Sequence, residues 1–160
     1  MERELDGRLL KYESDKIWVW REKRGNQKLK NPYWLEAKGC VNTTGGGYRR
    51  VSISIKHYSY HRLVYFLHNN DWDIHDTSRD NYIDHIDRDK LNNNIENLRV
   101  VTNAQNLLNT NAKGYTFRKA RGKYQAVIQV DGKLKHLGMF VSEDDARNAY
   151  QNAKKKYHTF

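Results

Sequence analysis

Four polar residues near the centre of the chain have side chains suited to hydrolysis. An Asp-His pair, Asp84 and His85, ends a short apolar run, and Asn97 and Asn106 follow with the spacing His-x11-Asn-x8-Asn. A neutral imidazole can act as a general base near neutral pH. Carboxylate and amide oxygens suit a hard divalent cation. These side chains together supply what metal-assisted hydrolysis of a phosphodiester requires.

The elements around these residues predict how they are positioned. The apolar segment before residue 86 reads as a strand, an Asn-rich loop follows, and residues 97–101 return as a second strand. Thr102 and Gln105 form a capping-box pattern, which predicts a helix that begins at Thr102. Strand, loop, strand and helix make a ββα unit over residues 81–110.

Each residue of this unit has a predicted role. We expect Asp84, His85 and Asn106 to lie close together, with Asp84 and Asn106 as ligands of Mg²⁺, or alternatively Mn²⁺. Successive strand residues point to opposite faces, so His85 can act as general base without binding the metal. Asn97, in the same catalytic set, is predicted to tie the loop together and to hold the backbone at His85. Arg99 is a candidate phosphate contact.

The same stretch resembles the HNH nucleases, specifically the phage and intron-borne homing endonucleases. The matching motifs are DHID (84–87), LNN (91–93), NLRVVT (97–102) and QN (105–106). The three family positions fall on His85, Asn97 and Asn106, although many members carry His at the third position. The resemblance implies a ββα-metal fold and metal-dependent cleavage of double-stranded DNA, as a nickase because one chain holds one active site. It also implies an origin in a phage or a mobile intron.

Charge is unevenly distributed along the 160 residues. The formal net charge is +10, made of +4 in residues 1–80, −1 in residues 81–110 and +7 in residues 111–160. A basic chain with a slightly acidic centre fits a protein that binds a polyanion and holds a cation at its centre. A basic surface that only keeps the protein soluble is the alternative.

Cysteine content and hydrophobicity exclude several classes of protein. The single cysteine, Cys40, allows no internal disulfide and no Cys-based zinc site, which excludes a zinc-ribbon version of the nuclease scaffold. It suits a reducing, cytoplasmic setting, that of the bacterial host if the chain is phage-encoded. No apolar run approaches a membrane span, and the charged start, MERELDGR, is not a signal peptide. We therefore expect no membrane partner and a monomer, with a dimer on DNA as the alternative.

The residues before the central unit predict a β-rich region. Residues 16–21 are β-branched and aromatic, and residues 48–55 alternate apolar with polar side chains, so both predict strands. Trp18 and Trp20 are expected to be buried, with base stacking as the alternative. The basic stretch after them is expected to end at Asn31-Pro32.

One helix and one loop connect this region to the central unit. Residues 60–69 carry apolar side chains at helical spacing, which predicts an amphipathic helix. Its HRLV run, residues 61–64, resembles the element that precedes the ββα unit in the same nucleases. We expect His61 to pack or to contact phosphate, with a ligand or base role as the alternative. Residues 71–80 are predicted to form a polar loop.

The last third of the chain carries a second set of motifs. These are GYTFRKARGKYQAVIQVDGKLKHLGMF (114–140) and SEDDARNAYQNAKKKY (142–157). They resemble the DNA-binding domain of plant Apetala and ethylene-response factors, which implies three antiparallel strands packed against one helix. The residues agree, because Asp131-Gly132 predicts a hairpin turn and Ser142 a helix cap. A domain over residues 114–160 would thus follow a nuclease domain over residues 1–110.

One face of the predicted sheet is basic. Strand alternation turns Ala126 and Ile128 toward the helix and their neighbours outward. The predicted DNA-binding residues are Arg118, Lys119, Arg121, Lys123, Gln125, Gln129, Lys133 and Lys135. Lys and Arg can contact phosphates, and Gln and Arg can read base edges in the major groove. Arg121 and His136 replace the family's Trp residues, so its base preference is not transferred. A merely solvated sheet face is the alternative.

The chain is therefore predicted to be α+β: a β-rich region and a helix, a ββα nuclease unit, and a three-stranded sheet on one helix. The predicted function is that of a metal-dependent DNA endonuclease. The alternatives are a catalytically inactive DNA-binding regulator and an RNA-cleaving enzyme. A calcium loop at Asp87-Arg88-Asp89 is disfavoured, because no glycine stands at the sharp turn that such loops need.

Overall fold

The computed structural model describes residues 1–44 and 46–158. The chain divides into two compact units, an N-terminal unit, Met1–Asn103, and a C-terminal unit, Ala104–Phe160. The boundary predicted from the sequence, between residues 110 and 114, lies several residues further along. Within the described residues, antiparallel sheets form the framework of both units.

A four-stranded antiparallel meander opens the N-terminal unit. In sheet order its strands are β1 (Glu2–Leu5), β2 (Arg8–Glu13), β3 (Lys16–Arg24) and β4 (Gln27–Glu36). Asp6 and Gly7 form the turn between the first two strands, and both have positive φ. Glycine adopts this conformation freely, and Asp tolerates it better than most residues.

The two faces of the meander differ in exposure. Ile17 and Val19 of β3 are buried in the core, whereas Trp18 and Trp20 alternate with them and are half-buried on the outer face. The prediction that both tryptophans are buried is therefore only partly right. Trp20 packs on Trp34 of β4, with ring centroids 5.2 Å apart, so the outer face carries its own aromatic contact.

Strand β4 continues through Pro32, where the sequence predicted a break. That prediction is wrong, for two physical reasons. β4 is an edge strand, where a missing N–H removes no bond on the outer side. The pairing with β3 also shifts register between Arg21 and Lys23, next to the pair that Arg21 forms with Tyr33. Pro32 thus lies where the ladder is already irregular.

A second antiparallel sheet leads into the first helix. It consists of β5 (Cys40–Asn42), β6 (Tyr48–Ile53) and β7 (Lys56–Ser59), and α1 (Tyr60–His68) follows directly. The predicted strand at 48–55 and helix at 60–69 are confirmed, with ends within two residues of the predicted ones.

The predicted order of strand, loop, strand and helix follows. Strand β8 (Tyr82–His85) pairs antiparallel with β9 (Leu98–Val101), and the loop between them ends in a 3₁₀ turn, Ile95–Asn97. Helix α2 (Asn103–Leu108) begins directly after Thr102, the residue predicted to cap it.

A common core joins the elements of the N-terminal unit. Helix α1 buries Leu63, Val64 and Leu67, which lie on one side of the helix. The same cluster includes Leu10, Ile17, Val51, Ile53, Trp72, Ile74, Ile83 and Leu98. The loop at 71–80, predicted to be polar, therefore contributes two buried side chains. Through Ile83 and Leu98 the core fixes the pair of strands that carries the candidate site.

The C-terminal unit has the predicted three strands and one helix. Its sheet order is β10 (Tyr115–Arg118), β11 (Lys123–Val130) and β12 (Lys133–Phe140), and α3 (Glu143–Tyr157) packs on one face. Ser142 caps α3, because its Oγ accepts the N–H of Asp145 at 3.0 Å. Ile128, Tyr150 and Ala153 form the small core between sheet and helix.

Candidate active site

Strands β8 and β9 place the predicted carboxylate and base at one end of their ladder. Asp84 lies opposite Arg99, and His85 lies opposite Leu98. Asp84 is only 7% exposed and His85 only 3%, although both are polar. Neighbouring strand residues point to opposite faces, so each side chain has different surroundings. Buried polar groups are costly without partners, and both have them.

Arg99 is the partner of Asp84. Its Nε and Nη2 donate to Oδ2 of the carboxylate at 3.1 and 2.9 Å. The Arg99 side chain is 25% exposed, so this ion pair is only partly screened by water. This pair was not among the predictions from the sequence, although the register of the two strands places Asp84 opposite Arg99. A guanidinium has five donors and can serve a second anion, so phosphate contact by Arg99 stays a prediction.

The side chains of Asn93, His61 and Tyr48 lie beside the ring of His85. Its Nε2 lies 3.1 Å from Oδ1 of Asn93. The ring centroids of His61 and Tyr48 lie 5.0 and 6.0 Å from that of His85. Asn93 and Tyr48 were not among the predicted site residues. Asn93 belongs to the LNN motif that marked the loop, whereas nothing in the sequence around Tyr48 indicated this position.

Asn97 closes the loop that follows His85. Its Nδ2 donates to Oδ1 of Asp87 at 2.9 Å and to the carbonyl of Asn92 at 2.8 Å. Its Oδ1 accepts the N–H of Asp87 at 3.0 Å, and its carbonyl accepts the N–H of Ile86 at 2.9 Å. These bonds join the two ends of the loop immediately after His85. The contribution of Asn97 to catalysis stays a prediction.

Asp87 and Asp89 serve the same loop. Hydrogen bonds from the side chains of Asn92 and Asn97 hold the pKa of Asp87 below its ordinary value. Asp87 also accepts the N–H of Asp89 at 2.8 Å, and Asp89 accepts the N–H of Leu91 at 2.9 Å. Both carboxylates thus bind groups of their own loop, which disfavours a calcium loop here.

His61 packs beside His85 in the interior. It is 7% exposed, and its ring lies 5.1 Å from that of Tyr48, centroid to centroid. Burial, helped by the nearby His85 and Arg62, lowers the pKa of His61 to about 3. Its Nδ1 has no hydrogen-bond partner among residues 1–44 and 46–158. His61 is therefore a neutral packing residue of this structure, which is one of the two roles expected for it.

Arg62 and Asn81 hold the loop at 71–80, which leads into β8. Arg62 donates to the carbonyls of Ile74, Asp76 and Asn81 at 2.9, 3.3 and 2.9 Å. The amide nitrogen of Asn81 donates to the carbonyls of Asp73 and Asp76, both at 2.9 Å. The HRLV run thus contains a side chain that braces the loop at 71–80. No residue pattern indicates this role, because the acceptors are main-chain carbonyls.

Asp84 provides one carboxylate, the type of ligand that a hard divalent cation prefers. Over the part of the chain that the structure describes, no group of three or more His, Cys, Asp or Glu side chains is arranged to hold a metal ion. Mg²⁺ usually needs only one or two carboxylates, because water and substrate phosphates complete its octahedron. Asn106 lies on α2, in the part of that helix that belongs to the C-terminal unit. Its assignment as second ligand stays a prediction.

The cations of the C-terminal sheet are divided between its two faces. Residues paired across antiparallel strands share a face, and Ile128, which packs against α3, pairs with Lys135. Accordingly, Nζ of Lys135 lies 4.5 Å from the ring centroid of Tyr157 in α3. Lys133 pairs with Val130 on the same side. The prediction that Lys133 and Lys135 point outward is wrong, because the register turns both toward the helix side.

The other predicted DNA-binding residues lie on the outward face of the sheet or next to it. It consists of Arg118, Lys123, Gln125 and Gln129, with Lys119 and Arg121 in the adjoining 3₁₀ turn. Nε of Arg118 donates to Oε1 of Gln125 at 2.6 Å. This bond holds one cation and one amide side by side, a pairing suited to a phosphate and a base edge. Whether they bind DNA stays a prediction.

Residues 58–108 match the family model described as HNH endonuclease. The match extends from β7 through α1 and the β8–β9 pair to α2, and includes Asp84, His85, Asn97 and Asn106. An HNH endonuclease domain is thus present in this segment, which indicates nuclease activity on DNA. No curated protein and no solved structure matches the chain. Among the described helices, none is long and apolar enough to cross a membrane.

Proposed function

We propose that the chain is a metal-dependent endonuclease that hydrolyses phosphodiester bonds in double-stranded DNA and nicks one strand per active site. One observation carries this proposal. Asp84 and His85 are buried side by side at the end of β8, with Arg99 and Asn93 as partners, inside the segment matched by the endonuclease model. Such a buried pair does not make a core more stable, because apolar residues would fill the same volume at a lower free-energy cost.

His85 acts as the general base in this reaction. It takes a proton from the attacking water, whose oxygen bonds to phosphorus while the bond from phosphorus to the 3′ oxygen breaks. The leaving 3′ oxygen keeps the electron pair and takes a proton from solvent, which gives a 3′-hydroxyl and a 5′-phosphate. A divalent cation held by Asp84, Mg²⁺ or alternatively Mn²⁺, would stabilise the negative charge that develops on the leaving oxygen.

The neighbours of this pair have positioning roles. Arg99 orients the carboxylate of Asp84 through its two hydrogen bonds. Asn97 holds the loop, and with it the backbone that follows His85. Asn106 is assigned as the second oxygen ligand on the motif spacing alone.

The C-terminal unit is proposed to anchor the enzyme on DNA. The support is its outward face and the net charge of +7 in residues 111–160. Counterion release from phosphates makes such a surface bind DNA strongly at low salt. Lys133 and Lys135 would then contribute positive charge to the unit without belonging to its outward face, since their side chains lie on the helix side. A role in homing and a phage origin rest on the motif resemblance alone.

A plasmid assay tests the proposal. Purified full-length protein is incubated with supercoiled plasmid and Mg²⁺, Mn²⁺ or a chelator, and with a structured RNA in parallel. We expect open-circular plasmid with either metal, none with the chelator, and intact RNA. Plasmid binding without nicking under every condition would instead identify a catalytically inactive DNA-binding protein. Cleavage of the RNA alone would identify an RNA-cleaving enzyme.

A further inference from the structure

The side-chain amide of Asn93 is held in one orientation. Its Nδ2 donates to the carbonyl of Leu91 at 3.0 Å, and its backbone N–H donates to the same carbonyl, also at 3.0 Å. A carbonyl only accepts hydrogen bonds, so the amide nitrogen must face Leu91. The amide oxygen therefore faces His85, whose Nε2 lies 3.1 Å away. Asn93 is 9% exposed, which leaves little freedom for the amide to turn over.

This orientation decides which nitrogen of the neutral imidazole carries the hydrogen. An amide oxygen accepts only, so Nε2 of His85 must be the donor. The basic lone pair of the ring then belongs to Nδ1. The rings of His61 and Tyr48, with centroids 5.0 and 6.0 Å away, pack against the imidazole and restrict its rotation.

We propose that Asn93 is a positioning residue that holds neutral His85 in the Nε2–H tautomer, and so presents Nδ1 as the atom that takes the proton from water. The role of Nδ1 rests on the proposed function, whereas the tautomer is a property of the folded chain. Asn97 supports the arrangement, because it donates to the carbonyl of Asn92, the residue immediately before Asn93. The loop thus connects Asn97 to His85 through Asn93.

The tautomer can be measured directly in the wild-type protein. Long-range ¹H–¹⁵N spectra of the ¹⁵N-labelled full-length chain are recorded at about pH 8, where an ordinary imidazole is neutral. The His85 signals are assigned by their loss in His85→Gln. We expect Nε2 of His85 to show the shift of a protonated ring nitrogen and Nδ1 that of an unprotonated one. A hydrogen on Nδ1 in the wild type would overturn the inference.

Variants test whether Asn93 is the cause. Asn93→Leu keeps the side-chain size but removes the acceptor, so the Nε2–H signal should shift and exchange faster with water. Its kcat for nicking should fall about 10-fold to 100-fold, a typical loss for a positioning partner, at unchanged KM. The control, Asn92→Ala, removes a bond to Asp87 of 2.7 Å in the same loop and should keep the wild-type His85 signals. An unchanged signal and kcat in Asn93→Leu would refute the role of Asn93.

The two proposals can fail separately. A wild type that shows the Nε2–H tautomer but never nicks DNA would refute the proposed function, and with it the role of Nδ1 as base. A wild type that nicks DNA with its hydrogen on Nδ1 would refute the positioning role and leave the nuclease assignment standing.

Discussion

Arg99 and Asp84 face each other across the β8–β9 pair, and the guanidinium donates twice to a single carboxylate oxygen, at 3.1 and 2.9 Å. The side chain of Asp84 is only 8% exposed, so this guanidinium offsets a charge that water solvates poorly. A cation that binds Asp84 must do so beside a fixed positive charge. In the proposed enzyme, with Asp84 as a metal ligand, the pair would couple metal affinity to the stability of the fold.

Loss of Arg99 should reveal this coupling. Arg99→Met should lower the free energy of unfolding by about 2–3 kcal/mol without metal, somewhat less than the cost of breaking a fully buried pair. Mg²⁺ should then raise the Tm of the variant more than that of the wild type, because the cation replaces the lost charge. Thermal unfolding with and without Mg²⁺ measures both effects.

A surface pair provides the control. Lys16→Met removes the partner of Glu36, 3.5 Å away on the exposed meander, and should cost less than about 1 kcal/mol with no change in the Mg²⁺ response. The same Mg²⁺ response in both variants would place the metal away from Asp84.

Removal of a proposed metal ligand should abolish metal-dependent nicking, whereas removal of the metal should leave the protein folded. Asp84→Asn and Asn106→Ala should each abolish Mg²⁺-dependent nicking. A chelator should silence the wild type without unfolding it, because the core cluster that includes Leu63 and Leu67 is built from apolar side chains. Asp131→Asn, in an exposed turn, is the control for charge. A chelator that melts the protein would mean that the metal is structural.

Acid should destabilise the fold through His61. Burial lowers the pKa of His61 in the folded state to about 3, against an ordinary value of 6.5. Between these values the unfolded chain binds the extra proton, so stability is lost as pH falls below 6.5, by up to about 1.4 kcal/mol per pH unit.

His61→Leu should therefore flatten the pH dependence of unfolding between pH 6.5 and 4 relative to the wild type. His57→Leu, which removes an exposed imidazole, is the control variant. Equal curves for wild type and His61→Leu would contradict the assignment of His61 as a buried neutral group.

The two faces of the C-terminal sheet should differ in DNA binding. Arg118→Gln/Lys123→Gln and Lys133→Gln/Lys135→Gln remove the same charge from opposite faces. The first double variant should lower the slope of log affinity against log salt by up to about 1.8, or 0.9 per lost phosphate contact. The second should change the slope much less. Similar losses in both would mean that the unit binds through overall charge and not through its outward face.

Much of this architecture could be predicted because helices and strands produce local periodic patterns in the sequence. The helical spacing of Leu63, Val64 and Leu67 predicted α1, and the motifs from Asp84 to Asn106 predicted the order of strand, loop, strand and helix. Such patterns are readable because side-chain direction follows from the 3.6-residue or 2-residue period.

The contacts within the site were harder to predict because loops have no period. Arg88 has a φ of +69°, and the amide of Asn97 donates to the carbonyl of Asn92, which together turn Asn93 toward His85. Tyr48 reaches the site from a distant strand, which only tertiary packing determines.

The prediction of the sheet face on which Lys133 and Lys135 lie was wrong for a related reason. It depends on the register between β11 and β12, which the two-residue turn at Asp131-Gly132 sets by pairing Val130 with Lys133 and Ile128 with Lys135. Alternation along one strand fixes which of its residues share a face, but not which residues of the next strand join them.

The role of His85 as the base of a DNA-cleaving site can be measured through the nicking rate of His85→Ala. With saturating enzyme on supercoiled plasmid and Mg²⁺, the rate should fall by about 10²-fold to 10⁴-fold, the usual contribution of a general base. DNA affinity should stay close to that of the wild type, and His57→Ala should nick at nearly the wild-type rate. A His85→Ala variant that keeps more than about a tenth of the wild-type rate would show that His85 is not the general base.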